Sequence, residues 1–313
     1  MTTSTNLQAP GKKEKKLPPI LPNHGTEAAY KAALERETRT MVKSYLWWIS
    51  NRYQTAVEAN ADAGRIPDLA QDAAPKTAQQ RLLAELGRLQ KHWESHFKDV
   101  AKRLATRWVG ASYRDNANAW KAQARRAGFT VDMQRTPAQR AVLDVAVPEN
   151  VSLIKSIPQQ FATDVHGIVT RSFLAGRDLH TMADALRKRG SITVDRAALI
   201  ARDQSNKLTA DMNAARQREL SLWWAVWKHS SAGKEPRVNH VRASREEWIF
   251  NTQVGIDFGD GFGYVLPGKA IRCRCGSRTL IPAIGRNLAS GKVFDPEKLE
   301  PVPGFPGAYR QRD

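Results

Sequence analysis

The segment Ala198–Lys207, with the sequence ALIARDQSNK, opens the part of this chain that decides its fold. Its polar and apolar residues recur at three- and four-residue steps, which is typical of an amphipathic helix. The polar face comprises Arg202, Asn206, Thr209, Asn213 and Arg216, and the apolar face Ile200, Ala201, Leu208 and Met212. The pattern predicts a helix whose polar face runs without interruption for about four turns.

Downstream of this helix the apolar period shortens to two, which favours strands. Trp223–Lys228 alternates in this way, and turns rich in Gly and Asp, such as Gly259-Asp260-Gly261, separate the segments that follow. Further strands are predicted at Trp248–Phe250, Tyr264–Leu266 and Ile271–Leu280. The fold class is therefore α+β: a mainly helical N-terminal half with long amphipathic helices and a small mixed α+β C-terminal domain.

Upstream, two prolines and two glycines punctuate the chain. Pro148 and Pro158 predict helix breaks, and the helix that follows them should end before Gly176. A short helix should run from Asp178 to near Gly190. Asp195 would then cap the helix of the opening segment, because a carboxylate accepts hydrogen bonds from the free N–H groups of a first turn.

Two apolar stripes at helical spacing dominate the N-terminal half, one over Tyr30–Tyr53 and one over Leu82–Trp108, with a break at Ala61–Pro75. Each stripe predicts a long amphipathic helix, and the two helices should pack together. Eight large apolar residues on the second helix exceed what one neighbouring helix covers. Part of that stripe should therefore be available to a partner.

The chain is strongly basic, with 49 Lys and Arg against 31 Asp and Glu and a formal net charge of +18. This surplus favours a polyanionic partner, with nucleic acid, either DNA or RNA, bound through its phosphates as the leading candidate. A basic surface without a specific partner is the alternative. The sequence has no signal-peptide pattern or membrane-spanning apolar run, and its two cysteines form no disulfide framework, so a soluble protein in a reducing compartment is expected.

Both termini differ in composition from the rest of the chain. Residues 1–25 should form a flexible, Pro-rich basic arm that contacts DNA or a partner protein, or that serves only as a solubilising leader. Its DNA-contacting candidates are Lys12, Lys13, Lys15 and Lys16. Residues 286–313 contain several prolines and should form an extended tail, with disorder favoured over docking on a partner.

Cys273 and Cys275 are the candidate metal ligands of the chain. Residues two apart in a strand point to one face, so both thiols could bind one zinc ion, with His240 and His229 as further ligands. The alternative, which we favour from the sequence, is that both thiols are small buried apolar groups that pack the strand against the helix. The expected cofactor content is therefore none, with zinc as the exception to test.

Arg237 and His240 lie three residues apart and could bind phosphate or act in acid–base chemistry, or His240 could simply lock a turn. The sequence contains no Gly-rich phosphate loop, no nucleophile with a matching base and no carboxylate cluster for a hydrolytic metal. We therefore expect no catalytic residues. For the polar helix face, an internal hydrogen-bond network is favoured over a ligand site.

Taken in order, these segments resemble the C-terminal domain of the phage Mu F-like minor head proteins, the head morphogenesis family of tailed phages. The resemblance covers roughly residues 145–282 and extends more faintly to Leu21–Asn23 and Ala28–Leu34. The matching motif residues are Arg202, Asp203, Gln204, Asn213, Arg216, Trp227, Arg237, His240, Cys273, Arg274 and Cys275. In one departure, the family pattern has an acidic residue a few positions before Arg237, and Glu235 occupies a displaced position here.

The resemblance implies a virion protein that joins the procapsid near the portal and is packaged with the DNA, after synthesis in the host cytoplasm. It implies a portal protein and a major capsid or scaffolding protein as partners, and no membrane. The expected division is an arm at 1–25, a helical docking region at 26–145, a Mu F-like domain at 146–285 and a tail at 286–313. The alternatives are a virion-delivered nuclease or transferase using Arg237 and His240, and a non-viral DNA-binding protein.

Overall fold

The computed structural model describes residues 18–63, 78–128, 130–131, 133, 135–175, 179–231, 235–281 and 293–312. The chain divides into two compact units. The helical unit comprises residues 24–109 and 145–202, and the mixed unit comprises residues 110–144 and 203–313 together with the segment that ends at Asn23. Within the described ranges, no helix has the length and apolar character needed to cross a membrane.

Four long helices carry the first two thirds of the chain: α1 (His24–Ala63), α2 (Ala78–Arg126), α3 (Pro137–Leu174) and α4 (Leu179–Glu219). The helical unit contains α1, α2 up to Val109, α3 from Val145 and α4 up to Arg202. The remaining parts of α2, α3 and α4 belong to the mixed unit. The α+β class is confirmed, with helices in the N-terminal part and a small sheet in the C-terminal part.

The described side chains of the two predicted stripes, up to Ile49 in the first, contribute to the core of the helical unit. Tyr30 stacks on Trp108 with ring centroids 4.7 Å apart, and Tyr45 meets Phe161 edge-on at 5.2 Å. The expectation that the second stripe is partly free is wrong. Its buried members are Leu82, Leu86, Trp93, Phe97, Val100 and Trp108, and only Leu89 and Leu104 are half-buried. Helices from three other parts of the chain contribute buried residues to this unit, so the stripe needs no external partner.

The breaks predicted at prolines and at Gly190 are wrong. Pro148 and Pro158 lie inside α3, where Asn150 between them accepts a 2.6 Å hydrogen bond from the Tyr30 hydroxyl. Gly190 lies inside α4, at a point where α4 approaches α1 so closely that there is no space for a side chain. A Cβ atom at Gly190 would lie 2.5 Å from Cγ1 of Val42. Asp195 is consequently an exposed residue within the helix and not its cap.

A five-stranded antiparallel sheet forms the centre of the mixed unit, in the order β5-β1-β2-β7-β6. Its strands are β1 (Trp224–Lys228), β2 (Ile249–Asn251), β5 (Gly276–Thr279), β6 (Leu299–Pro301) and β7 (Tyr309–Gln311). A two-stranded sheet pairs β3 (Ile256–Asp257) with β4 (Tyr264–Val265), and the short helix α5 (Val238–Arg245) follows β1. The predicted strands at 224–228, 249–250 and 264–265 are thereby confirmed.

The large sheet is apolar on both faces, as the two cores of this unit show. Trp227 of β1 belongs to a cluster with Trp248, Phe250 and Phe258. Val226, the residue before it, belongs to a second cluster with Phe294. The alternation of neighbouring residues between two clusters follows from the two-residue period of a strand.

The terminal segments are more ordered than the composition suggested, where they are described. Ile20 is buried against Trp120 and Met133, so residues 18–23 belong to the mixed unit and not to a free arm. The four lysines at positions 12, 13, 15 and 16 lie outside the described residues. The tail expectation is wrong for residues 293–312, which supply β6 and β7 and bury Phe294 and Val302. Burial of these apolar groups outweighs the effect of the prolines between them.

Candidate metal centre and buried polar cluster

His240 lies in the first turn of α5 and is almost fully enclosed. Its side chain is 3% exposed. The rings of Trp227 and Phe258 lie 4.9 and 4.3 Å from its ring, measured between centroids. Aromatic residues of β1 and of the segment after β3 therefore fix the position of the imidazole.

Cys273 and Cys275 lie in the loop that leads into β5 and not within a strand, which corrects the predicted strand at 271–280. The main chain reverses before them: Cys273 N–H donates to the Ala270 carbonyl, and Arg272 has a positive φ of 61°. Both cysteines are nevertheless buried, while Arg272 is exposed. The two thiols lie on the same side of the chain, as predicted, although they belong to a loop and not to a strand.

Helix α4 holds this loop in place through three contacts. The Asp203 carboxylate accepts a 3.0 Å hydrogen bond from the Arg272 N–H. Lys269 donates to both oxygens of Asp211 at 2.7 and 2.8 Å. Gly268 passes so close to α4 that a Cβ there would lie 3.2 Å from the Asn206 carbonyl oxygen. The position of the thiols thus depends on residues of α4, including Asp203 from the motif.

The imidazole and the two thiols form one cluster. His240 Nδ1 is 3.7 Å from Cys273 Sγ and 3.6 Å from Cys275 Sγ, and all three atoms lie within 4.8 Å of one another. Both cysteines are free. The hydrogen bond between the two thiols lowers the pKa of Cys273, and the same hydrogen bond together with burial raises the pKa of Cys275.

Asp260, in the turn between β3 and β4, lies on the other side of the imidazole. Its Oδ2 is 3.9 Å from His240 Nε2 and 3.6 Å from Arg237 Nε. Arg237 also donates to the Ile271 carbonyl at 3.0 Å, in the loop that carries the cysteines. The carboxylate beside the Arg and His of the motif is thus Asp260, whereas Glu235 is exposed.

His229 follows β1 directly and is half-buried. In the β1–β5 register Lys228 is opposite Gly276, which places His229 near Cys275. Its Nδ1 accepts a 3.1 Å hydrogen bond from the Ser231 N–H. Burial lowers the pKa of His229 and the nearby His240 adds to this, while Cys273 opposes it.

A second group of motif residues forms a buried polar cluster around Asn213. Its Oδ1 accepts hydrogen bonds from Asn116 Nδ2 at 2.8 Å and Trp120 Nε1 at 3.0 Å, and its Nδ2 donates to the Ile20 carbonyl at 3.1 Å. Arg216 Nε donates to Asn116 Oδ1 at 3.0 Å. These contacts agree with the interpretation of this face as an internal network. They bind α4 mainly to α2 and to residues 18–23.

The remaining motif residues are more scattered. Arg202 belongs to the helical unit, where its Nε is 4.0 Å from Glu27. Gln204 is buried in α4, and Arg274 is half-buried between the two cysteines. The motif therefore divides into the His–Cys cluster, the Asn213 cluster and residues that pack elsewhere.

The sequence analysis did not identify Asp260, which lies beside His240, or Asn116, which bonds Asn213 and Arg216. Asp260 was recognised only as part of a Gly-rich turn, and nothing in its local pattern links it to His240. Asn116 could have been found, because the apolar period of α2 continues past Trp108 through Tyr113, Ala117 and Trp120, which predicts a longer inward face.

The donor set of the His–Cys cluster is suited to a soft or borderline divalent metal, since thiolate and imidazole are the ligands that zinc prefers. Among the described residues, His240, Cys273 and Cys275 form the group of potential ligands that lie close enough to share an ion.

Comparison with known proteins adds a distant relative. An uncharacterized protein of Haemophilus influenzae is 32% identical over 141 residues, which are 44% of this chain and 28% of that protein. The chain thus spans less than a third of the length of this relative. No family model and no solved structure matches the chain.

Proposed function

We propose that this chain is a minor capsid protein of a tailed phage, which acts in procapsid assembly near the portal and contacts the packaged double-stranded DNA. The observation that supports this proposal is the convergence of the motif. Asp203 is distant in sequence from Arg237 and His240, yet all three contact Asp260 or the loop that carries Cys273 and Cys275. Part of the motif that carries the resemblance therefore meets around one cluster, while Asn213 and Arg216 meet in a second.

Contact with DNA is supported by the charge and its placement on α2. Arg114, Lys121 and Arg125 are exposed, and their spacing of seven and four residues places them on one face of the helix. Such a row of cations suits the phosphates of a duplex and requires no base reading.

The buried state of His240 supports a structural role over an enzymatic one. A general acid or base must reach the proton that it transfers. The His240 ring instead faces two thiols, a carboxylate and two aromatic rings. The alternative of a nuclease or transferase centred on Arg237 and His240 gains no support from these contacts.

Co-expression with the portal and major capsid proteins of the same genome tests the proposal. We expect the chain to sediment with procapsids and to remain bound after a high-salt wash, because assembly contacts are not purely electrostatic. A second protein of similar size and charge, expressed alongside, controls for adhesion of a +18 chain. Recovery of the chain only in the soluble fraction, with particles assembling normally, would contradict the proposal.

A further inference from the structure

We propose that His240, Cys273 and Cys275 bind a zinc ion through Nδ1 and the two Sγ atoms, with His229 as the fourth ligand. The site is structural: it connects the end of β1, helix α5 and the loop before β5. This proposal does not depend on the proposed function.

The spacing of the donor atoms fits a zinc tetrahedron. With Zn–S of about 2.3 Å and Zn–N of about 2.0–2.1 Å, a tetrahedral site has S···N edges of about 3.6 Å. The two Sγ···Nδ1 distances in the cluster are 3.7 and 3.6 Å. A zinc ion could therefore enter between the three atoms with little movement of the main chain.

The imidazole is oriented for binding through Nδ1. Its Nε2 is buried without a hydrogen-bond partner, and the nearest carboxylate oxygen, from Asp260, is 3.9 Å away. A metal on Nδ1 places the ring proton on Nε2, where it faces Asp260. Histidine ligands commonly donate their second N–H to a carboxylate in this way, which makes Asp260 the positioning residue of the site.

The cysteines are held in position without the metal. The loop is fixed to α4 by Asp203, by the Lys269–Asp211 pair and by the close approach of Gly268. Metal binding would then require little loss of conformational entropy in this loop. The protons displaced from the thiols pass to solvent.

His229 completes the set because the strand register places it near Cys275. The hydrogen bond from Ser231 to its Nδ1 leaves Nε2 for the metal. In the structure the His229 ring nitrogens lie outside the His240–Cys273–Cys275 cluster. The half-buried His229 side chain would therefore have to rotate to supply the fourth ligand that a closed structural zinc site requires.

Metal analysis of the full-length chain tests the proposal. We expect about one zinc per chain after purification under reducing conditions, and a tetrahedral cobalt spectrum with thiolate charge-transfer bands when cobalt replaces zinc. Removal of zinc by a chelator should lower the melting temperature, and added zinc should restore it. A reduced chain that binds neither zinc nor cobalt would show that the thiols are only apolar packing groups.

Variants separate the roles of the residues. Cys273→Ser and His240→Ala should lose the metal, whereas His92→Ala, at an exposed histidine of the helical unit, should retain it. Asp260→Asn should weaken zinc affinity by about 10–100-fold while the cobalt spectrum stays tetrahedral. His229→Ala should change the cobalt spectrum, and an unchanged spectrum and affinity would overturn the assignment of the fourth ligand. Because the unsubstituted chain carries the main test, a variant that fails to fold does not decide the outcome.

Discussion

At the scale of single residues, Asn213 has the most demanding position in the mixed unit. Its amide accepts two hydrogen bonds from α2 and donates one to the main chain at Ile20. An amide that is buried and matched on both its oxygen and its nitrogen cannot be replaced by an apolar group without leaving partners unsatisfied. The same reasoning applies to Asn116, which bonds both Asn213 and Arg216.

We therefore expect Asn213→Ala and Asn116→Ala each to lower the free energy of unfolding by about 1–3 kcal/mol. Asn118→Ala is the matched control, because Asn118 is exposed on α2 close to Asn116, and its effect should stay within about 0.5 kcal/mol. Denaturant unfolding of the three variants gives the comparison. If Asn213→Ala retains its stability but loses binding to DNA or capsid, the polar face is a functional surface instead.

At the scale of elements, the length of α4 depends on close packing at Gly190. A glycine in mid-helix normally costs stability relative to alanine. Here the missing side chain admits Val42 of α1, since a Cβ would lie 2.5 Å from its Cγ1. The close approach explains why a residue that predicts a helix end lies inside a helix.

Gly190→Ala should accordingly destabilise the chain by about 1–3 kcal/mol through overpacking. Gly87→Ala provides the control, because a Cβ at Gly87 of α2 would meet no atom within 4 Å, and this variant should gain up to about 1 kcal/mol. Val42→Ala should cost less in the Gly190→Ala background than alone. Equal stabilisation by both glycine substitutions, measured by thermal unfolding, would refute the close-packing explanation.

Helical periodicity predicted the existence of α1 and α2 because their apolar stripes are long. That prediction did not depend on locating the residues at which each helix begins and ends. The same approach failed where tertiary packing overrides a local signal. Pro148 and Pro158 remain helical because α3 is buried on its neighbours, and the Pro-rich tail pairs into β6 and β7 because Phe294 and Val302 find an apolar cluster. The His–Cys cluster was partly foreseen from residue type, but Asp260 depends on a turn that no periodicity describes.

At the scale of the whole molecule, the mixed unit is discontinuous in sequence. It contains residues 110–144 of α2 and α3 as well as the C-terminal third. The boundary expected near residue 145 therefore does not separate two independently folding halves. Removal of residues 1–125 deletes Asn116 and Trp120 from the Asn213 cluster, so the shortened chain should not fold as an isolated domain.

The charge of the molecule leads to a prediction for DNA binding. Affinity for random duplex should fall steeply with salt, because each neutralised phosphate releases a counterion. A triple variant in which Gln replaces Arg114, Lys121 and Arg125 should bind DNA with a weaker salt dependence. The slope of log affinity against log salt concentration should become shallower by about one unit for each phosphate that is no longer neutralised. Fluorescence anisotropy over a salt series measures this slope.

The matched control removes three positive charges elsewhere: Arg36, Arg39 and Lys43 are exposed on α1, and the two arginines there are paired with acidic neighbours. Substituting these three with Gln changes the net charge by the same amount. An equal decrease of slope in both variants would indicate that net charge alone, and not the α2 face, determines binding.

Whether this chain is a component of a phage head is decided by quantitative mass spectrometry of DNA-filled particles purified from the strain that encodes it. We predict that the chain is present in every preparation at a copy number far below that of the major capsid protein, and that it is protected from added protease until the heads are opened. Particles that are infectious and contain DNA but lack the chain, while the lysate contains it in quantity, would contradict its assignment as a head protein.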